Sequence, residues 1–266
     1  MNTALVLSDI HFGTHGADTS KVISGIEMMA HATEGKTVII AGDFSQDART
    51  SEIGLAAELV RKLLASRVHV IVTPGNHDYG RWAGEKLVDH RARQSFYQAV
   101  FKPIATQKIV RAVQDTDLLL EIGDDLFICL RSTHASWRHA GRIKKKQITW
   151  AQQALRAVQQ SNHRVHLVTH RSLWGDVEDH HRAMYKTERL TEQLLSPFRV
   201  RTIIHGHNHV SKVGLRVVHG WPIVQVSAPT LAPTRSRGNY SGALCWNPSA
   251  PTDVEFVEYA EITERG

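Results

Sequence analysis

Short runs of aliphatic and β-branched residues alternate with longer amphipathic stretches through the first third of the chain. Leu5–Ser8 reads as a buried strand. Lys21–Ala32 places Val22, Ile23, Ile26 and Met29 at the spacing of one helix face. Thr37–Ala41 is a second strand. Ser51–Leu64 carries Ile53, Leu55, Ala56, Leu59, Val60 and Leu63 on a wide apolar face, with Ser51 expected to cap it. Val68–Thr73 is a third strand, cut off by Pro74-Gly75. Strand, helix, strand, helix, strand predicts parallel pairing in βαβ units.

Past residue 85 the pattern changes. Gln94–Phe101 reads as a helix, and Leu118–Glu121 with Leu126–Arg131 as a hairpin turning at Gly123-Asp124-Asp125. Thr149–Gln159 is amphipathic at helical spacing, and Val165–Thr169 and Arg201–His205 are two more buried strands. The last quarter holds Val213–Val218, Ile223–Ser227, Ala243–Trp246 and Val254–Tyr259, short runs bounded by Gly, Pro and Asn that suit antiparallel pairing. The sum predicts an α/β fold, a two-sheet mixed β-sandwich flanked by helices.

Composition narrows this picture. At 266 residues with 42% hydrophobic content, the chain is near the upper size for one core. One domain is expected over residues 1–266, with a short C-terminal tail from about Ile262. Thr3–Leu7 is too short and lacks the basic lead of a signal peptide, and no stretch is long enough to span a bilayer. A cytoplasmic protein with no membrane partner is therefore expected. Cys129 and Cys245 sit in apparent strands and read as free thiols, with a disulfide between them left open. The net charge of +6 suits an anionic substrate.

Candidate chemistry sits where the strands end. Asp9-Ile10-His11, Gly42-Asp43, Gly75-Asn76-His77-Asp78, His170 and Gly206-His207-Asn208-His209 each follow closely on an aliphatic run. An α/β sheet presents its functional groups at such edges. In Asp9-x-His11 and His207-x-His209, residues two apart on extended chain would point the same way. Seven O- and N-donors at one edge suffice for two hard or borderline cations. Imidazole, carboxylate and amide without thiolate favour Mn, Fe or catalytic Zn over a structural zinc site. Two such ions are a standard device for displacement at phosphorus. Only five of the 17 histidines fall in these motifs; of the rest, His180-His181 is the foremost further candidate.

The ordered set D-x-H, G-D, G-N-H-D, H, G-H-x-H resembles that of the calcineurin-like metallophosphoesterases over nearly the whole chain. The resemblance implies a four-layer form of the sandwich with a dinuclear centre between its sheets. It implies that Asp9, His11, Asp43 and His209 hold one metal. Asp43, Asn76, His170 and His207 would hold the other, with Asp43 bridging. His77 would protonate the leaving oxygen or stabilise the phosphoryl oxygens, and Asp78 would orient its imidazole. A bridging water with its pKa lowered toward ~7 would be the nucleophile.

Ser8–Gly13, Gly42–Arg49, and Thr230 with Arg235-Ser236-Arg237-Gly238 are similar to the class III cyclic-nucleotide phosphodiesterases. No Arg-Gly follows the second motif, which sets aside protein phosphatases and dinucleoside-polyphosphate hydrolases. The expected substrate is a small anionic phosphodiester, with a 3′,5′-cyclic nucleotide first. A nuclease or general phosphomonoesterase is the alternative, and a non-catalytic scaffold on the same fold a further one. At the fourth motif His170-Arg171-Ser172 stands where many relatives have His-His-Pro; Arg171 is expected at the solvated surface, with a contact to a phosphate as the lesser alternative. Trp137 and the run Arg138–Lys146, with five basic residues, are expected to form a solvated loop leading into the helix at Thr149 rather than a nucleic-acid groove.

Overall fold

The computed structural model describes residues 3–79, 90–133, 141–174, 184, 187–232 and 241–266. The first third follows the predicted pattern: β1 (Ala4–Leu7), α1 (Thr19–Ala32), β2 (Thr37–Ile40), α2 (Thr50–Ala65) and β3 (His69–Val72). Ser51 lies inside α2 rather than capping it. The buried Glu52 carboxylate instead accepts from the backbone N–H groups of Asp47 and Arg49, at 2.7 and 3.3 Å. A carboxylate at this end also meets the positive pole of the helix.

The middle of the chain begins with α3 (His90–Phe96), which widens into a π-turn over Tyr97–Phe101 and continues as α4 (Lys102–Ala105). There follow β4 (Val110–Gln114), β5 (Asp117–Ile122), β6 (Asp125–Cys129), α5 (Lys145–Val158) and β7 (Arg164–Val168). The short α6 (Glu188–Leu190) runs into a second π-turn, and β8 (Val200–His205), β9 (Lys212–Val218), β10 (Trp221–Ser227), β11 (Gly242–Trp246), β12 (Val254–Glu258) and α7 (Tyr259–Arg265) complete the chain.

One sheet has the order β12-β11-β1-β2-β3, parallel from β1 to β3 and antiparallel at β11 and β12. The other has the order β4-β5-β6-β7-β8-β10-β9. Strict alternation splits this second sheet between two cores. Leu118, Leu120, Phe127 and Cys129 face the first sheet, while Leu119, Leu126 and Ile128 face α5. α1 and α2 cover the outer face of the first sheet. The fold is thus the mixed two-sheet sandwich flanked by helices.

Four expectations change. β10 pairs with β8 in parallel, not antiparallel like its neighbours, because β9 forms a tight hairpin with it through His219-Gly220, both at positive φ, and takes the sheet edge. α5 starts at Lys145, so Lys145 and Lys146 occupy a first helical turn instead of a loop. The expected tail from Ile262 belongs to α7; Ile262 is buried, and a Cβ on Gly25 of α1 would collide with its carbonyl oxygen. β4 was not anticipated. Among the described residues no helix is long and apolar enough to cross a membrane. Cys129 and Cys245 are both free thiols, one in each sheet. Trp137, Arg138, His180, His181 and Arg235–Gly238 lie outside the described residues.

Candidate metal centre

β1, β2 and β3 of one sheet and β7 and β8 of the other all point their C-terminal ends at one place, and the five motifs follow those ends. Backbone pairing continues past the strands. The amide of Asp9 donates to the Gly42 carbonyl (2.9 Å), His11 to Asp43 (3.0 Å) and Phe12 to Phe44 (2.7 Å). Gly206 donates to His170 at 3.0 Å. Thr230 ties the loop after β10 to the same place, its hydroxyl donating to the Asp9 carbonyl at 2.9 Å.

The expected extended geometry of Asp9-x-His11 and His207-x-His209 is not found. Asp9, His11, Asp43, His207 and His209 all have left-handed backbone, with φ between 52 and 68°. Each chain curls at alternate residues, and the curl aims the paired side chains inward. Such a conformation is uncommon for any residue but glycine and costs of order 1–3 kcal/mol at each position.

Ligating atoms gather in three overlapping groups, each within 4.8 Å: Asp9, His11 and His209; His11, Asp43 and His77; Asp43, His170 and His207. Asp43 is shared between two of them. Its Oδ2 lies 3.1 Å from His170 Nε2, and its Oδ1 accepts the His77 amide at 2.7 Å. Asn76 Oδ1 lies 3.2 Å from His170 Nε2, and His209 Nε2 lies 3.0 Å from Asp9 Oδ1. The structure therefore brings together all seven expected ligands and His77.

Hydrogen bonds set which ring nitrogens face the centre. His170 Nδ1 donates to the Ala41 carbonyl at 2.8 Å, which turns Nε2 toward Asp43 and Asn76. His77 Nδ1 is 2.6 Å from the Gln46 carbonyl, which fixes its Nε2 in the same manner. Asp78 does not touch this ring as expected. It is buried, and its carboxylate accepts from the amides of Asp43 (3.0 Å), Ser45 (3.0 Å) and Gly75 (2.8 Å), pinning the loops after β2 and β3 together. Burial and then the neighbouring Asp43 charge push the Asp78 pKa up to about 6, against the pull of those amides.

Charge is concentrated here. Burial alone would raise Asp43, but His170 and His77 hold its carboxyl well below the usual range. Burial likewise disfavours the His170 cation, yet Asp43 and Asp9 lift its pKa to about 9. Burial, then Arg171 and His170, drive His207 down. His11 is fully buried with neither ring nitrogen hydrogen-bonded; its nearest carboxylate oxygen, on Asp9, is 3.7 Å away. Buried polar atoms rarely stay unpartnered. Cations among these imidazoles and carboxylates would satisfy them, so the residues present fit a metal pair.

Several contributors carried no obvious sequence signal. Ser8 donates from Oγ to Asp9 Oδ2 at 2.5 Å. A Cβ on Gly206 would strike that Ser8 hydroxyl, and one on Gly75 would strike the Asp43 carboxylate, so both glycines keep room for a ligand. Arg171, expected at the surface, is buried beside Asn76. Elsewhere, a cavity of about 720 Å³ opens at the far ends of β7, β8 and β10, lined by Arg164, Arg199, Arg201 and Trp221 and remote from the motifs.

No curated protein matches the chain. Solved structures of similar fold include a dimetal phosphatase from Danio rerio, at TM-score 0.62 and 11% identity, covering 97% of this chain and 99% of that one. A purple acid phosphatase from yellow lupin (Lupinus luteus) seeds gives a TM-score of 0.60 at 14% identity, covering 98% of this chain and 55% of that one. A Thermus thermophilus protein gives 0.57 at 9% identity, covering 97% and 99%. At these identities the likeness concerns the fold. The calcineurin-like phosphoesterase model matches residues 3–211, which take in all five motifs, and the chain accordingly belongs to that family.

Proposed function

We propose that the protein hydrolyses a small phosphodiester, with 3′,5′-cyclic nucleotides the first class to test, and that Mn, Fe or Zn ions occupy its centre. Asp9, His11, Asp43 and His209 would hold one ion, and Asp43, Asn76, His170 and His207 the other. When bound, such a pair supplies a hydroxide nucleophile near neutral pH and neutralises the phosphoryl oxygens. The sharing of Asp43 between ligand groups is the observation that carries this reading.

His77 supplies what the metals do not. An alkoxide is a poor leaving group and needs a proton. With Nδ1 committed to Gln46, only Nε2 is left to face a substrate. The stretches that look like class III phosphodiesterases build this feature. Phe12 pairs with Phe44 and accepts from the Gln46 amide at 3.0 Å, so the Gly42–Arg49 loop is laid beside Ser8–Gly13 and delivers the Gln46 carbonyl to His77.

A panel of cyclic nucleotides, nucleic acids and phosphomonoesters, each with added Mn²⁺, tests the proposal. Turnover of small diesters above the other classes is expected, with loss on exhaustive chelation. Hydrolysis of monoesters alone would remove the diester reading.

The nuclease reading has one observation in its favour. Arg142, Lys144, Lys145 and Lys146 crowd the start of α5, where the helix pole is already positive. Neutralising all four is expected to leave small-diester turnover within a few-fold, because none of the four belongs to the proposed ligand set or serves as the proposed proton donor. Tight DNA or RNA binding that collapses on neutralisation and falls steeply with salt would reverse that expectation.

A further inference from the structure

Arg171 is 7% exposed, and two kinds of anchor hold its backbone: its amide donates to Ser132 Oγ at 3.0 Å, and its carbonyl accepts from Thr169 Oγ1 at 2.8 Å. The side chain lies in a slot left by Gly141, where any Cβ would collide with Arg171 Cδ. The slot directs the guanidinium toward Asn76, whose Oδ1 is 3.5 Å from Nη2, while Nε has no partner. No carboxylate of the described residues lies in ion-pair reach of it.

The other buried arginine among the described residues behaves differently: Arg131, at 6% exposure, pairs with Asp115 at 3.1 Å. Even the half-buried Arg164 pairs with Asp125, at 2.7 Å. A buried guanidinium without a counter-ion is costly unless something else completes it. Its planar fork of donors matches a phosphate oxygen pair. Binding of a cation to Asn76 would add repulsion on the one side where Arg171 has a contact. An anion placed between them removes both problems.

We infer that Arg171 is a substrate-binding residue whose guanidinium contacts a nonbridging oxygen of the phosphoryl group, as a third cationic contact beside the two metals. This rests on the proposed phosphoester hydrolysis. Because the contact is electrostatic, its contribution grows with phosphoryl charge. It should favour dianionic groups, such as a phosphomonoester or inorganic phosphate, more than a monoanionic diester. Arg171 thus broadens the site toward monoesters and makes it hold a phosphomonoester product.

The test uses Mn²⁺-loaded wild type, Arg171→Met and Arg171→Lys. Calorimetric titration with inorganic phosphate, metal content, and kcat/KM on nitrophenyl mono- and diesters are measured for each. In the Met variant both metals should stay, phosphate affinity should fall on the order of tenfold or more, and the monoester should lose more kcat/KM than the diester. Lys, which keeps charge but not the fork, should fall between and guards against a Met variant that does not fold. Unchanged phosphate binding in both variants overturns the inference. So does equal loss on both esters, or loss of metal, either of which would mark a structural role. Phosphate binding that depends on Arg171 in a wild type that hydrolyses no ester would sink the proposed function and leave the phosphate contact standing.

Discussion

Asp43→Asn is expected to abolish phosphoester hydrolysis and to strip metal from the protein. Asp43 is the carboxylate shared between two of the ligating groups, so one substitution weakens both sides of the centre. The loss should exceed the roughly 10–100-fold typical of removing a partner one layer behind a metal. Folding should survive, because asparagine retains an oxygen to accept the His77 amide now received by Oδ1. Elemental analysis should find close to two metals per chain in wild type and clearly fewer in the variant, with an unchanged circular dichroism spectrum. Wild-type activity that persists after exhaustive chelation would end the dinuclear hypothesis.

His77→Ala should separate acid catalysis from metal binding. Its ring lies edge-on to His11, with centroids 4.8 Å apart, and sits in a donor group with His11 and Asp43. Geometry alone thus permits either a ligand or a proton donor. As a proton donor it matters in proportion to the basicity of the leaving oxygen. The variant should then keep both metals and lose on the order of 10²–10⁴-fold more on a cyclic or alkyl diester than on a nitrophenyl diester. Equal losses with metals retained would assign the imidazole to charge stabilisation. Loss of a metal would make His77 a ligand.

Much of the frame could be read from apolar spacing. The β1–α1–β2–α2–β3 unit and the β5–β6 hairpin follow from helical periods, short apolar runs and turn residues, which are local properties. The gathering of the motifs was legible too, since each sits just past a buried strand. What escaped depends on atoms far apart in the chain. Gln46 holds His77 through a backbone carbonyl, a group every residue carries. Asp78 serves three amides from two separate loops. Arg171 is buried because a glycine thirty residues earlier leaves it space. β4 was missed because its side chains alternate between half-buried and exposed at a sheet edge, a weak apolar signal. α7 was missed because a single buried side chain, Ile262, gives no period to detect.

The left-handed backbone at Asp9, His11, Asp43, His207 and His209 restricts the alphabet at these positions before any chemistry does. Asp, Asn and His are the non-glycine residues most enriched in that conformation, and β-branched residues are nearly barred from it. The backbone and the metals therefore ask for overlapping sets of residues. Random change at these five sites is filtered by steric fit toward Asn, Gly or another of the same three. A replacement by Gly, or by Asn where a carboxylate is shared, would weaken or empty the centre while sparing the turns. A chain of this architecture can lose its chemistry by single steps and keep its shape, a short route from an enzyme to a protein that only binds.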